Sequence, residues 1–556
     1  MKVLKLLIPL FFIVSSCYYK PFIGYRLNKK GFKHFSKKEK MVGDNSNPLR
    51  NYDVKTYKWD VNVLPEKKKL KGKMEINFIA TQSQSKFMFD LQSRMKVKSY
   101  SCSVKNAVLK HKGDILYLVF DNNVNQNQRI SLTINYEGKP GNLVGEGPLR
   151  WEHDSKGRPW ISTSTEGIGP HFIMPCNLLL RDEADSVWIN VTVPKGLKVA
   201  ANGRLTDAIE NKTTSTYNYL VTNTMNVYNI SFNVGHFVTL KKPYKDINGV
   251  DRTIECVVLD YHKDKADKFY NQAPKVMKVF EELFGEFPWW NDGCRFIESN
   301  FEAMEHQSGI ALGSDYSLDW IEYNTTLVHE LAHEWWGNNV TAYDYCDAWL
   351  HEGLATYAEA LFIEKMYGRK DYNKKINYFV NGTYNQIPIH KKCNVLYSSW
   401  ISYPDQDIYD KGALMMHSLR MQVNNDDLFF RAIKQFQKDM AKQNITEQQF
   451  IDKFNQLLGK DYSTLFDLYL NKTLPPVLIY YFTLKNEKER VFHYKWLDPL
   501  PFKLTNGGIV IIKNKKKQVI TPSNSYQTID VNMGEKITFV IGESIYYMLQ
   551  KVKGKL

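Results

Sequence analysis

Two histidines four residues apart, His329 and His333, have the type and the spacing of metal ligands. They lie in the stretch TTLVHELAHEWWGNNV, residues 325–340. In an α-helix, residues four apart lie on the same face about one turn from each other. Both imidazoles can therefore bind one metal ion. The alternative is an ordinary amphipathic helix with two surface histidines, because a His-Glu-x-x-His pattern also occurs by chance.

A third ligand is expected, because catalytic zinc usually takes three protein ligands and leaves a fourth position for water. Glu352 in DAWLHEGLATYAE is the candidate, far enough along the chain for a turn and an antiparallel return. His351 competes with it, but adjacent residues on a helix point about 100° apart, so only one can face the metal. We favour Glu352 because two histidines and a glutamate form the ligand set of hydrolytic zinc helices. Without a metal, Glu352 is an ordinary acid at a helix start.

Glu330 directly follows the first histidine, so it cannot bind the metal together with His329, yet it lies on the same turn. A metal ion brings the pKa of water to about 7. A nearby base must then take the proton of the attacking water and deliver it to the leaving amine. We predict that Glu330 is this base and that each chain binds one Zn²⁺.

The spacing of apolar residues indicates which elements position these side chains. In YKWDVNV, residues 57–63, apolar and polar residues alternate as in a half-buried strand, and similar runs continue to about residue 240. From residue 265 onward, in KADKFYNQAPKVMKVFEELFG, the apolar spacing becomes helical. The prolines of LPP, residues 474–476, end the helical block, and short β-type runs follow.

We therefore predict a multidomain α+β chain, with an all-β saddle or sandwich domain, a mainly helical zinc catalytic domain and a small C-terminal β domain. Thr446 and Gln449 predict a capping box at the start of a late helix. The predicted segments are a signal peptide with a lipobox over 1–17, a basic tether over 18–47, the N-terminal β domain over 48–240, the catalytic domain over 241–475 and the C-terminal β domain over 476–556.

The first 17 residues, MKVLKLLIPLFFIVSSC, have a basic start and an apolar run too short to cross a bilayer. This pattern is typical of a secretory signal peptide. Val14 and the two serines before Cys17 resemble the lipobox of bacterial lipoproteins. That resemblance implies an exported protein held on a bacterial membrane surface, periplasmic or cell-surface, by a lipidated Cys17. A plain signal peptide with an incidental cysteine is the alternative.

The net charge of +15 raises the question of a nucleic-acid partner. The lysines occur in short groups with acidic residues between many of them, and no nucleic-acid motif accompanies them. We therefore predict no nucleic-acid binding. The cysteines after Cys17 form no Cys-x-x-Cys pair, so their spacing specifies neither a disulfide nor a cysteine-bound metal.

Separated motifs resemble one known family. HELAHEWWGN, followed by the glutamate of WLHEGLATY, is similar to the aminopeptidase N family of zinc metallopeptidases, peptidase family M1, whose members are gluzincins. The resemblance implies a thermolysin-like catalytic domain behind a β domain. It also implies hydrolysis of N-terminal residues from peptides that have a free N-terminus.

The same resemblance implies a substrate site in NFEAMEHQSGIALG, residues 300–313, where the family has a Gly-Ala-Met-Glu-Asn strand. Glu305 would bind the free α-amino group, and Ala303 and Met304 would offer backbone hydrogen bonds to the peptide. Two residues depart from the family pattern: Glu302 replaces the glycine and His306 replaces the asparagine. His306 is therefore a substrate-binding candidate whose effect on substrate choice is open.

Downstream, IYDKGALMMHSLR resembles the family's Tyr-x-Lys-Gly segment, whose tyrosine stabilises the oxyanion formed when water attacks the carbonyl. This resemblance assigns Tyr409. The sequence thus predicts a zinc-dependent aminopeptidase that acts by metal-activated water attack. Two alternatives stay open: a surface lipoprotein of the same fold that binds peptides without turnover, and a hydrolase of the same fold with a different substrate.

Overall fold

The computed structural model describes residues 43–141, 148–166, 169–320, 322–391, 393, 406–505 and 508–553. The predicted signal peptide, the lipidation site Cys17 and the tether up to residue 42 lie outside the described residues. The described end of the tether packs onto the protein, where Asn45 Nδ2 donates to the Asp344 carboxylate at 2.9 Å. Each helix in these ranges is too short or too polar to span a membrane.

The N-terminal part consists of mainly antiparallel strands joined by turns, with one parallel pair in its largest sheet. In chain order they are β1 (Tyr52–Leu64), β2 (Lys69–Ala80), β3 (Gln84–Asp90), β4 (Lys96–Cys102), β5 (Val108–Lys112), β6 (Ile115–Val124), β7 (Arg129–Gly138), β8 (Leu149–His153), β9 (Pro159–Thr163), β10 (Glu183–Ala184), β11 (Ser186–Pro194), β12 (Lys198–Ala201), β13 (Arg204–Glu210), β14 (Thr214–Val221), β15 (Met225–Asn226) and β16 (Phe232–Gly235).

The largest sheet of this part has the strand order β13-β14-β11-β1-β2-β7-β4. In β1, Trp59, Val61 and Val63 are buried, while the residues between them face outward. This is the period-two pattern expected of a strand with one face on a core. The smaller sheets β12-β16-β9-β8 and β3-β6-β5 contribute to the same hydrophobic core.

The catalytic part combines helices with a small sheet. Its elements are β17 (Phe237–Lys245), β18 (Asp251–Leu259), α1 (Lys263–Phe269), α2 (Ala273–Phe284), β19 (Cys294–Ser299), β20 (Ala303–Met304), β21 (Gly309–Gly313), α3 (Thr325–Ala332), β22 (Val340–Ala342), α4 (Trp349–Tyr367), α5 (Arg369–Gly382), α6 (Asp410–Val423), α7 (Asp426–Asp439), β23 (Gln443–Ile445), α8 (Glu447–Leu458) and α9 (Ser463–Leu470). The predicted capping box opens α8, where Thr446 and Gln449 satisfy each other's backbone groups.

A five-stranded sheet, in the order β17-β18-β19-β21-β20, lies beside these helices, and β20 is its edge. The chain leaves the last sheet of the N-terminal part at Gly235 and enters this five-stranded sheet at Phe237. The change comes a few residues before the predicted domain boundary at residue 240. Only His236 separates β16 from β17. Apolar alternation runs through both strands, so periodicity alone does not mark the change.

The C-terminal part is again β structure: β24 (Val477–Leu484), β25 (Glu489–Trp496), β26 (Ile509–Lys513), β27 (Lys516–Ile520), β28 (Gln527–Asn532), β29 (Ile537–Phe539) and β30 (Met548–Lys551). Its buried side chains belong to the same hydrophobic core as the catalytic helices, whereas the N-terminal strands have their own core. The order all-β, mainly helical, β confirms the predicted fold class.

Candidate active site

Helix α3 carries the His-Glu-x-x-His residues into the interior. Asn324 caps it, with its side-chain oxygen accepting a hydrogen bond from Leu327 N at 2.7 Å. The helix ends at Ala332, and His333 is its C-cap. His333 still has helical backbone angles, φ −60° and ψ −22°, so it keeps its place one turn after His329. Both histidines are buried.

Three possible ligand atoms converge at this point. His329 Nε2 lies 3.0 Å from His333 Nε2. Glu352 Oε2, from the first turn of α4, lies 3.3 Å from the former nitrogen and 3.5 Å from the latter. A tetrahedral zinc site with bonds of roughly 2.0–2.1 Å places its ligand atoms roughly 3.3 Å apart. The separations among these atoms match that requirement.

Hydrogen bonds of the two Nδ1 atoms fix the orientation of the rings, so that the Nε2 atoms face the site. His329 Nδ1 donates to Glu359 Oε1 at 2.8 Å, and His333 Nδ1 donates to the Trp336 carbonyl at 2.9 Å. A neutral imidazole that donates through Nδ1 presents an unprotonated Nε2. Two such nitrogens 3.0 Å apart repel each other unless a cation lies between them. The donor set therefore fits a metal ion.

Glu359 is a supporting residue that the sequence analysis did not identify. Its carboxylate also accepts from Lys375 Nζ, at 2.6 Å. Burial alone would raise the pKa of Glu359, but the charge of Lys375 and the bond from His329 bring it below its ordinary value. An ionised carboxylate behind a ligating histidine orients the ring and increases its basicity. The sequence does contain a signal for Glu359. It follows Glu352 by seven residues, which is two helical turns along the same face of α4.

His351, the competing ligand, points elsewhere. Its Nε2 accepts a hydrogen bond from Ala342 N at 2.9 Å. Burial lowers the pKa of His351 to about 4, so the ring is neutral. The helical step between His351 and Glu352 thus turns the carboxylate, and not the imidazole, toward the two histidines.

Glu330 faces the same space as the ligand atoms. Its carboxylate, that of Glu305 and the ring of His333 have ligand atoms within 4.8 Å of one another. Glu330 Oε2 is buried and has no hydrogen-bond partner among the described residues. Burial raises the pKa of Glu330 to about 8, the direction that suits proton transfer near neutral pH.

Glu305 lies at the end of the edge strand β20 and is fully buried. Tyr228 of the N-terminal β domain donates its hydroxyl to Glu305 Oε1 at 3.2 Å, and Asn338 Nδ2 donates to the Glu305 carbonyl at 2.9 Å. Burial raises the pKa of the Glu305 carboxyl. The site therefore combines residues of two domains.

Glu166 is a second carboxylate at this place, and the sequence analysis missed it. Its oxygen, a Glu305 oxygen and a His351 nitrogen lie within 4.8 Å of one another. Burial raises the pKa of Glu166 well above its ordinary value, and the nearby charge of Glu305 adds to the effect. Two facing carboxylates favour a cation between them. No spacing in the sequence connects Glu166, which follows β9, with Glu305.

The backbone of β20 supports the predicted peptide contacts. Ala303 and Met304 pair with β21 on one side, and no other described strand of the sheet pairs with β20 on the other. An edge strand leaves backbone N–H and C=O groups available to an extended peptide. His306, the last substrate candidate, is fully buried, and neither of its ring nitrogens has a partner in the described part of the chain. Burial lowers the pKa of His306 to about 3, so this ring is neutral.

Tyr409 is the N-cap of α6, and its ring stacks on the His329 ring with centroids 6.1 Å apart. Helices α4 and α6 cross very closely next to it. A Cβ atom added to Gly412 would lie 2.8 Å from the Gly353 Cα. Because neither glycine has a side chain, the helices can bring Tyr409 and Glu352 to the same site.

A disulfide lies beyond the site, in a place that cysteine spacing did not indicate. Cys346, three residues before α4, is bonded to Cys393. His390 Nδ1 nearby contacts Asp347 Oδ1 at 2.7 Å and Glu447 Oε2 at 2.5 Å. Bonds to these two carboxylates raise the pKa of His390 to about 10. A protonated imidazole between two acids accounts for this cluster.

Two models of known protein families match the chain. The peptidase M1 N-terminal domain matches residues 53–228, and the peptidase family M1 domain matches residues 270–469. Together they cover well over half of the sequence. The second match contains the ligand triad, Glu305 and Tyr409.

Curated relatives agree with these matches. Probable aminopeptidase 2 of Sulfurisphaera tokodaii is 23% identical over 434 residues, which is 72% of this chain and 54% of that protein. Aminopeptidase N of Rattus norvegicus is 27% identical over 250 residues, 38% of this chain and 25% of that protein. The chain thus spans about half, or less, of the length of these relatives.

Solved structures share the fold. An M1 zinc metallopeptidase from Deinococcus radiodurans, an alanine mutant bound to a Tyr-Ser-Ala substrate, superposes with a TM-score of 0.66 at 20% identity. The match covers 77% of this chain and 96% of that one. At this identity the likeness is one of fold.

Proposed function

This chain belongs to peptidase family M1, a family of zinc metallopeptidases, and on that premise we propose that it is an aminopeptidase acting on peptides with a free N-terminus. The observation that carries the proposal is the convergence of His329, His333 and Glu352 within 3.0–3.5 Å. Both histidines turn their Nε2 atoms inward beside a buried Glu330.

Zinc held by His329, His333 and Glu352 would polarise the scissile carbonyl and lower the pKa of water. Glu330 takes the proton of the attacking water and passes it to the leaving amine. Tyr409 donates its hydroxyl to the developing oxyanion. Hydrogen bonds aimed at the place where charge develops stabilise the transition state more than the ground state.

The paired carboxylates of Glu305 and Glu166 select the end of the peptide. A substrate α-ammonium group between them compensates the negative charge of this pair, and an acetylated N-terminus cannot. The edge strand holds the following residues through the backbone of Ala303 and Met304. His306, two residues after this strand, is a buried neutral ring, and we propose that it acts by shaping the strand.

Hydrolysis of amino-acid anilides tests the proposal, with each substrate compared to its N-acetylated partner. Wild-type protein loaded with zinc should cleave the free-amine substrates and leave the acetylated ones. Glu330→Gln should keep its zinc and lose about 10²–10⁴-fold in kcat, the usual contribution of a general base. Glu305→Gln should mainly raise KM for free-amine substrates.

Glu282→Gln, which removes an exposed carboxylate on α2, is the matched control and should behave as wild type. If the zinc-loaded wild type cleaves neither substrate class, the aminopeptidase proposal fails. Peptide binding without cleavage would then favour a binding lipoprotein. Cleavage of acetylated or internal bonds would favour a hydrolase with a different substrate.

We also propose that the protein is exported and held on a bacterial membrane surface through a lipidated Cys17. The Cys346–Cys393 bond supports this, because disulfides persist mainly in oxidising compartments. Metabolic labelling with a fatty-acid analogue should mark the wild type and not Cys17→Ser. Equal labelling of both proteins would contradict the anchor.

A further inference from the structure

The C-terminal β domain contacts the catalytic domain along one face of α6, the helix that begins directly after Tyr409. His417 Nε2 donates to the Ser544 carbonyl at 2.9 Å, and its Nδ1 accepts from the Tyr372 hydroxyl at 2.7 Å. Burial lowers the pKa of His417 to about 3, so the neutral ring bridges the two domains. The contact is a buried hydrogen-bonded interface within a shared core.

Tyr546 lies at the centre of this interface. Its backbone N–H donates to Ser418 Oγ on α6 at 2.8 Å, and its carbonyl accepts from the Tyr469 hydroxyl on α9 at 2.6 Å. Both bonds fix the residue between two helices of the catalytic domain. Only 1% of Tyr546 is exposed, so its hydroxyl must find partners inside the protein.

The Tyr546 hydroxyl finds those partners in the segment that follows α5. It lies 2.8 Å from Thr383 Oγ1, and Asn385 Nδ2 donates to it at 2.8 Å. Asn385 has a left-handed backbone, with φ 51°. Its side-chain amide also reaches Thr383 Oγ1, at 3.2 Å. The tyrosine thereby holds a turn whose backbone conformation is otherwise unfavourable.

The same turn also binds Asp407, in the short helical turn Gln406–Ile408 directly before Tyr409. The backbone N–H groups of Tyr384 and Asn385 donate to the two oxygens of the Asp407 carboxylate, both at 2.7 Å. Asp407 is fully buried and lies two residues before Tyr409. Hydrogen bonds therefore connect Tyr546 to Asn385 and Asn385 to Asp407, and the backbone connects Asp407 through one residue to Tyr409, the N-cap of α6.

We propose that Tyr546 of the C-terminal β domain is a positioning residue for Tyr409, acting through Asn385 and Asp407. The inference rests on the proposed function, in which Tyr409 stabilises the oxyanion. Tyr409 is the cap of its helix and not an interior position, so the segment before it decides where its hydroxyl lies. A displacement of about 1 Å at a catalytic group can cost about 100-fold in rate.

Tyr546→Phe tests this idea because it removes only the hydroxyl. We expect kcat to fall about tenfold with KM nearly unchanged, because these bonds involve none of the residues proposed to hold the amine and the backbone of the substrate. Asn385→Gly removes the amide and keeps a residue that accepts a positive φ. It should reproduce the loss and should add little to Tyr546→Phe.

Tyr547→Phe is the matched control. The neighbouring Tyr547 is also buried, and its hydroxyl has no hydrogen-bond partner among the described residues. The same substitution there should leave kcat at the wild-type level. Zinc content and thermal midpoint, measured for every variant, show whether a loss of kcat follows from unfolding.

A double-mutant cycle separates positioning from general damage. The affinity of a phosphinic dipeptide analogue, which presents a tetrahedral oxyanion, is measured by calorimetry for wild type, Tyr409→Phe, Tyr546→Phe and the double variant. Tyr546→Phe should weaken binding about tenfold in the wild type and by less than twofold in Tyr409→Phe.

Four results overturn the inference, and they have different meanings. Equal losses in both backgrounds, or no loss in either, show that Tyr546 does not act through Tyr409, while the proposed function stands. A Tyr409→Phe variant that binds the analogue as wild type removes the oxyanion role itself. A zinc-loaded wild type that neither binds the analogue nor cleaves anilides contradicts the proposed function as well.

Discussion

At the scale of single residues, the hydrogen bonds behind the candidate ligands matter as much as the ligands. Glu359 and the Trp336 carbonyl each accept a hydrogen bond from Nδ1 of one histidine, and this leaves both Nε2 atoms free to bind a metal ion. Lys375 keeps Glu359 ionised. The site is therefore prepared for a cation before any ion arrives.

The residue behind His329 gives the first prediction. Glu359→Gln replaces an ionised acceptor by a neutral one, so His329 becomes a weaker ligand. We expect zinc affinity to fall about 10–100-fold, the usual effect of changing such a partner. Competition with a chromophoric chelator measures it.

Glu364→Gln is the control, because Glu364 lies on the same helix but pairs with Arg420 and Arg369. Its zinc affinity should equal that of the wild type. Equal zinc affinity in Glu359→Gln would show that this carboxylate does not support the metal site.

A second residue-scale prediction concerns pH. Bonds to Asp347 and Glu447 raise the pKa of His390 from 6.5 to about 10 in the folded protein. The protonated imidazole therefore stabilises the fold fully below pH 6.5, and this contribution is lost as the pH rises through about 10. Wild type should be more stable than His390→Gln at pH 6, and the difference should shrink toward pH 10.

Urea unfolding of both proteins at several pH values measures that difference. His153→Gln, an exposed histidine on β8, is the control and should change stability little at any of these pH values. A difference that stays constant from pH 6 to pH 10 would contradict the assignment of a charged His390.

At the scale of elements, the crossing of α4 and α6 decides whether Glu352 and Tyr409 share one site. Gly353 and Gly412 meet at this crossing, and a Cβ on either would be within 3.0 Å of the backbone of the other helix. Backbone atoms cannot turn aside as a flexible side chain can. The helices must therefore separate if either glycine is replaced.

Gly412→Ala should accordingly reduce both stability and activity. Overpacking of this kind costs about 1–3 kcal/mol of unfolding free energy. Because α6 would shift together with Tyr409, kcat should fall by more than the fraction of unfolded protein explains. Thermal unfolding and anilide kinetics measure the two effects. Wild-type kcat in a folded Gly412→Ala variant would show that this crossing does not set the position of Tyr409.

At the scale of the whole molecule, the candidate site depends on all three parts of the chain. The N-terminal domain supplies Glu166 and Tyr228, the catalytic domain supplies the ligands, and the C-terminal domain packs behind α6. The disulfide links Cys346, just before α4, to Cys393 in the stretch between α5 and α6. It therefore restrains the same connection between α5 and α6 that Tyr546 contacts at Thr383 and Asn385.

The disulfide gives a prediction at this scale. It joins residues 47 apart in sequence, so its loss frees a long loop in the unfolded chain. The Cys346→Ser, Cys393→Ser variant should lose about 2–4 kcal/mol of unfolding free energy. Denaturant unfolding compares it with the oxidised wild type.

Cys102→Ser is the control, because Cys102 is a free, partly exposed cysteine. It should unfold as the wild type does. An equal midpoint for the double variant would indicate that the bond contributes no net stability.

The features that the sequence determined by itself are local ones. Helical periodicity predicts that His329 and His333 share a face and that only one of His351 and Glu352 can join them, and the usual ligand set of hydrolytic zinc helices favours Glu352. Thr446 and Gln449 predict their capping box, and changes of period predict the order of β, helical and β parts. Each depends on residues within a few turns or strands of one another, where backbone geometry converts spacing into position.

Contacts between distant segments become visible in the folded structure alone. The approach of Glu166 to Glu305, the Cys346–Cys393 bond and the bonds of Tyr546 join residues from different domains or from opposite ends of long connections. Spacing carries no information about them, because helix crossings, sheet order and domain packing bring these residues together. Glu359 lies between the two cases, since its helical phase is readable in the sequence while its partner Lys375 is on another helix.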